Sequence, residues 1–272
     1  MKIDKVTMAK MHKIQMEMLL DLISVMDKLK IHYFFVHGSL LGAVRDGNFI
    51  IEDDDIDIAL FREDYNKLFS YGTDLIKKNY FLQNSATDTF PLPFGKMRNT
   101  NTTFIQNVLS NVDCNQGIYI DIFPIDYENH HLYFALKKKL LDFRCNSALN
   151  LSKNSLKKRF FSNIAKLFFP SLTTALLKRE ALYSSLKKKN KVAIYGGKPT
   201  ERNMDISWFK NYSTHSFAGA EVMCPAMYKD YLERIYGKDY MNYNPAIDRI
   251  DEENIEISAE VLDFEKSYRF YK

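Results

Sequence analysis

The sequence predicts an α/β protein of the mixed, α+β kind: a mixed sheet core flanked by helices, with a basic helical segment at 130–192. Two observations predict this. Segments with helical spacing alternate with short runs of strand length, as at 8–26, 33–36, 56–60 and 118–122. Between 130 and 192 the strand signals stop, and lysine clusters punctuate helical apolar faces instead. The chain has 272 residues, 46% of them hydrophobic, with only 7 Pro and 10 Gly. A single domain spanning 1–272 can therefore bury a sizeable core without long disordered linkers.

Residues 7–30 read as an amphipathic helix capped by Thr7, with Met8, Met11, Ile14, Met18, Leu22 and Met26 as its core stripe. Tyr33-Phe34-Phe35-Val36 then reads as a strand that hands over to a helix at Gly38-Ser39, where free backbone N–H groups can hold an anion. Alternation puts Ile56, Ile58 and Leu60 on one face of the next strand and Asp55 and Asp57 on the other, with Asp53 one step further out in the same parity. Residues 62–79 predict a surface helix with Tyr65, Leu68, Phe69 and Leu75 inward. Short strands follow at 80–83 and 94–97, the latter leading Lys96 and Arg98 onto one face.

At 117–126, Ile118, Ile120 and Ile122 alternate with Tyr119, Asp121 and Phe123, so Asp121 is the lone acid among bulky neighbours. Asp126, after Pro124, reads as a turn or cap residue. Further on, Leu156, Phe160, Phe161, Ile164, Leu167 and Phe168 form an apolar helical face that Pro170 closes. Basic residues beside such a face, such as Lys157-Lys158-Arg159, suit an interfacial helix on anionic lipid; ordinary packing with the lysines in water suits them equally. The stretch 217–241 reads as a strand leading into a helix that ends at Tyr236-Gly237, and 251–272 is charged without a motif.

The acids carry the chemistry. Two carboxylates two residues apart on a strand can share a divalent cation, and a tight cluster raises its own pKa values unless a cation neutralises it. Asp121 needs a partner too, either the same metal or a basic neighbour. Lys96 and Arg98 together could grip a phosphate. Other classes recede. Cys114, Cys145 and Cys224 lack the spacing of a zinc site or a disulfide framework. A net charge of +4 decides little, and no basic-aromatic pattern suggests a nucleic-acid module. No 18 apolar residues run together and no signal peptide is expected, so the expected location is cytoplasmic, with peripheral contact to the inner face of the cell membrane through the basic segment.

Gly38-Ser39-Leu40-Leu41-Gly42-Ala43-Val44-Arg45, then Gly47-Asn48-Phe49-Ile50 and Asp53-Asp54-Asp55-Ile56-Asp57-Ile58, resemble the signature of the LicD family. The resemblance is dense over 30–126 and weaker beyond, where Phe217 to Pro225 and Tyr236 to Met241 resemble the family's closing segment. It implies a nucleotidyltransferase-type fold, in which the basic helices at 130–192 are an insertion because the family pattern resumes after them. It also implies transfer of phosphocholine or a related phospho-alcohol from a CDP-linked donor, CDP-choline foremost, to a hydroxyl of a cell-surface glycan or its lipid-linked precursor, such as teichoic acid, lipopolysaccharide or capsule. The Ile-Asp-Ile-Phe-Pro strand of the family supplies a third active-site acid, here Asp121.

On this reading Asp55, Asp57 and Asp121 are catalytic and hold Mg²⁺ or Mn²⁺, while Gly38, Ser39, Arg45, Lys96 and Arg98 bind the donor's phosphates. Many members carry Pro-Trp before the acidic run and His after the Arg, where this chain has Ile51-Glu52 and Asp46; that leaves the pocket wall, and so the transferred group, open. Two alternatives stay open as well: a nucleotidyltransferase that places a nucleoside monophosphate on a small acceptor and releases pyrophosphate, and a non-catalytic glycan-binding relative.

Overall fold

A computed structural model of the chain describes residues 3–150, 156–243 and 259–272, with the side chains of 156–159 and of residue 259 outside that description. Lys157-Lys158-Arg159 as side chains, and the charged stretch 251–258, therefore lie outside the described residues. The architecture is mixed α/β, as the alternating periods predict.

The first helix, α1 (Lys5–Lys28), is capped by Asp4, whose carboxylate accepts from the N–H groups of Val6 and Thr7. The expected Thr7 cap is thereby corrected: an ionised Asp one turn earlier outcompetes a neutral hydroxyl for the free N–H groups. The methionine stripe is buried as expected. After β1 (Phe34–Phe35) comes α2 (His37–Arg45), then β2 (Asp57–Phe61) and α3 (Arg62–Tyr71). α3 is shorter than the spacing predicts. Gly72 ends it, a 3₁₀ turn follows, and Leu75 is exposed while Tyr65, Leu68 and Phe69 are buried.

The central sheet takes the order β1-β2-β6-β4-β3, with β3 (Tyr80–Gln83), β4 (Gly95–Asn99) and β6 (Ile118–Tyr127). β6 is its axis. It runs parallel to β2 along one edge; on the other edge β4 pairs antiparallel with its first half and β7 (Lys191–Ile194) with its last residues. β7 pairs in turn with β8 (Met204–Asp205). Between β6 and β7 the chain makes three helices: α4 (Leu132–Asn146), α5 (Leu156–Phe168) and α6 (Leu172–Ser184). Of these, α4 and α6 build a separate cluster around Phe134, Leu141, Leu176 and Tyr183, joined by Ala193 of β7. The chain is back in the sheet by Lys191.

Asp126 is no turn residue. It sits inside β6, 1% exposed, and Arg62 at the start of α3 forks onto it with two 2.7 Å bonds, while the third arm of the guanidinium reaches Glu180 of α6 at 2.9 Å. Pro124 ends no strand here because β6 runs on through it, paired in register with Leu60. Two further antiparallel pairs are seen among the described residues. β9 (Tyr212–Phe217) pairs with β10 (Ala220–Pro225) ahead of α7 (Tyr228–Tyr236), and β5 (Thr103–Gln106) pairs with β11 (Ala259–Asp263). α7 ends at Gly237, whose φ of +88° few other residues adopt. The charged C-terminal stretch thus contains a strand that its composition does not announce.

Candidate active site

The acids meet on the sheet. Asp57 opens β2 and stands in register with Asp121 on β6, which stands in register with Lys96 on β4. Asp55, just before β2, folds over the same row, and ligand oxygens of Asp55, Asp57 and Asp121 all lie within 4.8 Å of one another. Asp57 and Asp121 are 7% and 6% exposed, and Asp55 keeps a partly exposed edge. Burial pushes the Asp55 carboxyl well above the usual carboxylate range, with repulsion from Asp57, Asp54, Asp53 and Asp121 added. Such a set of hard, crowded oxygens is chemically suited to a divalent cation.

Lys96 belongs to the row. Its ammonium pairs with Asp121 Oδ1 and lies 3.5 Å from the centroid of the Tyr119 ring. Burial raises the pKa of Asp121 and lowers that of Lys96, because each charge is out of water, while their attraction opposes both shifts. Asp121 therefore has both partners that its place on the strand left open: a basic neighbour and converging acids. Arg98 differs. It is fully buried, its Nε donates to Gln83 Oε1 at 2.8 Å and its Nη1 to the Gly117 carbonyl at 2.9 Å. The expected grip of Lys96 and Arg98 on one phosphate is not presented at a surface: both are buried, at 1% and 0% exposure, Lys96 held by Asp121 and Arg98 by Gln83 and the Gly117 carbonyl.

Two other phosphate-binding expectations change. Arg45 closes α2 with a two-bond fork onto its neighbour Asp46 (2.8 and 2.7 Å) and donates from Nη1 to the Tyr243 carbonyl at 2.7 Å. Asp46 therefore takes the fork a phosphate would need. At the start of α2, the space over Gly38 holds the carboxylate of Asp53: a Cβ there would lie 2.0 Å from Asp53 Oδ2. Ser39 Oγ accepts the N–H of Asp57 at 2.8 Å. Gly38 and Ser39 thus anchor the acidic segment itself, and a phosphate would have to displace Asp53 to reach the helix terminus.

Several residues at the site went unseen in the sequence. His37, the first residue of α2, has φ +49° and sits between acids: its Nε2 lies 2.8 Å from both Glu201 oxygens and its Nδ1 3.6 Å from Asp57 Oδ2. Burial opposes its charge, yet Glu201 and Asp57 outweigh that and hold its pKa up to about 10. It is therefore an imidazolium at neutral pH, with both N–H groups directed at carboxylates. Glu201 is buried, which favours its neutral form, but His37, the Tyr231 hydroxyl and the Lys198 N–H hold its pKa below the usual range. Tyr236, at the end of α7, stands near enough to Asp53 and Asp57 that burial and their charge raise its hydroxyl well above normal; Lys198 Nζ lies 5.1 Å over its ring. From α1, His12 Nε2 donates to the Asp53 carbonyl (2.7 Å) and Gln15 Nε2 to that of Asp54 (2.8 Å), pinning the acidic loop. Only Tyr236 had a signal in the sequence, through its place in a family-like segment.

Comparison with known proteins gives two findings. Residues 30–161 match the family model described as LicD/FKTN/FKRP, nucleotidyltransferase domain. They are a LicD family domain. The chain is also 24% identical, over 235 residues, to the lipopolysaccharide cholinephosphotransferase LicD of Haemophilus influenzae, a similarity that covers 82% of this chain and 87% of that protein. The LicD match takes in Asp55, Asp57, Lys96 and Asp121 but ends within α5, whereas Glu201, Tyr231 and Tyr236 come from farther along the chain.

Proposed function

We propose that this chain transfers a phospho-alcohol group, phosphocholine foremost, from a CDP-linked donor to a hydroxyl of a cell-surface glycan or its lipid-linked precursor. The observation that carries the reading is the row of Asp57, Asp121 and Lys96 across three strands, with Asp55 folded onto it. The name of the Haemophilus relative supports the choice of phosphocholine.

Asp55, Asp57 and Asp121 would hold Mg²⁺ or Mn²⁺, since three carboxylates with no sulfur or neutral imidazole among them are a donor set for a hard cation. When bound, that ion supplies charge neutralisation to the donor's pyrophosphate. The chain's own residues do the rest. Lys96 ties up one oxygen of Asp121, which favours a ligand role for that acid over a base role and adds a buried positive charge to the acid cluster. His37 donates from Nδ1 towards Asp57 and fixes which way that carboxylate faces. The acceptor hydroxyl oxygen forms a bond to the phosphorus bearing the alcohol, the pyrophosphate P–O bond breaks, CMP leaves with the electron pair, and the hydroxyl proton passes to solvent or to a carboxylate of the cluster.

The test is to incubate the purified protein with Mg²⁺, an acceptor glycan and a panel of CDP-alcohols and nucleoside triphosphates, and to identify the leaving group. CMP from CDP-choline supports the proposal. Pyrophosphate from a triphosphate would turn the reading to a nucleotidyltransferase, and no turnover of any donor to a binding protein.

A further inference from the structure

The apolar face of α5 points away from the protein. Phe160, Phe161, Leu167 and Phe168 are 62%, 43%, 82% and 66% exposed, although they fall on one helical stripe with half-buried Ile164. Ala165 is the buried residue on which the helix rests, and Phe161 alone of the four exposed residues stacks on a neighbouring helix, its ring centroid 5.2 Å from that of Phe143 on α4. Packing against the core, one of two readings open from the sequence, therefore does not account for this face. Four large side chains held in water along about two and a half turns of helix form a surface of the kind that marks an interaction site.

The charges around it say what it meets. Between 130 and 192, Lys and Arg outnumber Asp and Glu fifteen to two, so that the remainder of a chain of net charge +4 is acidic. Exposed cations stand at the patch itself: Lys139 Nζ lies 6.0 Å over the Phe143 ring on which Phe161 stacks, Lys178 Nζ lies 5.3 Å over the ring of Phe169, next to Phe168, and Lys166 is on α5. A second copy docked face to face would bring this basic segment against itself. An anionic bilayer presents the opposite charge over an apolar interior. At 13 residues α5 is about 20 Å long, short of the ~30 Å hydrocarbon core, and the chain turns by 86° between it and α6. No single helix among the described residues is long and apolar enough to cross a membrane.

We propose that α5 lies in the plane of an anionic membrane surface, with Phe160, Phe161, Leu167 and Phe168 set below the headgroups and Lys139, Lys166 and Lys178 on the lipid phosphates. The whole domain would then work at a bilayer. This inference does not depend on which group the protein transfers.

Flotation of the full chain with vesicles of phosphatidylcholine alone, or mixed with phosphatidylglycerol, tests it at low and high salt. Binding should favour the anionic vesicles by at least about tenfold and weaken as salt screens the lysines. Phe160→Ser/Leu167→Ser/Phe168→Ser should lose at least about tenfold on anionic vesicles. Lys139→Gln/Lys166→Gln/Lys178→Gln should lose a similar factor and much of the salt dependence. These positions are exposed, so both variants should melt with the parent, and turnover of soluble substrates should not change. Equal binding to neutral vesicles, no binding at all, or unaltered binding by either variant would overturn the proposal. So would a dimer that forms through this face and is lost in the serine variant while vesicles stay bare.

Discussion

Two regions of this molecule handle charge and hydrophobicity in opposite ways. In the acid row on β2, β6 and β4 and around it, charged groups are taken out of water: Lys96, Asp57, Asp121 and the nearby Glu201 are all buried, each held by a charged neighbour. In the helices between β6 and β7, Lys139, Lys166 and Lys178 stand in water and large apolar side chains stand there with them. A region that buries charge can bind charge strongly, because removing solvent strengthens each interaction within it. A region that exposes apolar rings gains by covering them. The contrast separates the part built for chemistry from the part built for contact.

The acids should break that contrast most. Asp55→Asn, Asp57→Asn or Asp121→Asn is expected to cut turnover by roughly a thousandfold or more, because each removes one oxygen donor from the cluster. Their stabilities should diverge. Metal-free Asp55→Asn should hold or raise the melting temperature, since it relieves repulsion, whereas Asp121→Asn should lower it by leaving Lys96 buried without its partner. If all three melt alike, the pairing of Lys96 with Asp121 carries no weight.

Next comes Lys96→Met. Breaking a buried pair from one side costs about 3–5 kcal/mol, so a fall of roughly 10 °C in Tm is expected. The double variant Lys96→Met/Asp121→Asn should recover most of it, and calorimetry of the single and double variants decides the point.

His37→Gln probes the imidazolium between Glu201 and Asp57. Removing a group that orients a cation ligand should weaken Mn²⁺ binding about tenfold, measured by titration calorimetry in the absence of substrate. Unchanged affinity would assign His37 to stability alone. The same residue sets a pH dependence. Because its pKa is raised in the folded state to about 10 from an ordinary value of 6.5, its stabilisation is complete below pH 6.5 and disappears as the pH rises through about 10. Melting temperatures of the metal-free protein should decline across that window, and the decline should be shallower in His37→Gln.

The smallest effect belongs to the exposed face. Phe160→Ser should shift stability by no more than about 0.5 kcal/mol, whereas Leu176→Ala, in the buried cluster of the same helices, should cost about 2–5 kcal/mol. Equal costs would mean that the α5 face is packed in solution.

The sequence alone determined the elements whose cause is local. Alternation of Ile with its neighbours placed Asp57 and Asp121 on their faces because side chains alternate along any strand, and the Met stripe announced α1 because helical spacing is a property of the chain, whereas Asp55, just before β2, reaches the row through the loop. The apolar stripe of α5 was equally plain, but which way it faced was not, since the same stripe serves a core or a membrane. What the tertiary structure decided was partnership. That Asp57, Asp121 and Lys96 share one row follows from the register of three strands up to sixty-four positions apart, which no spacing encodes. Arg45 and Arg98 looked like ligands for phosphate, yet Asp46, Gln83 and the Gly117 carbonyl had already claimed them. His37 became a cation only because folding brings Glu201, 164 residues away, within 2.8 Å. Charge in a folded protein is set by burial and by neighbours, and both are made by contacts distant in sequence.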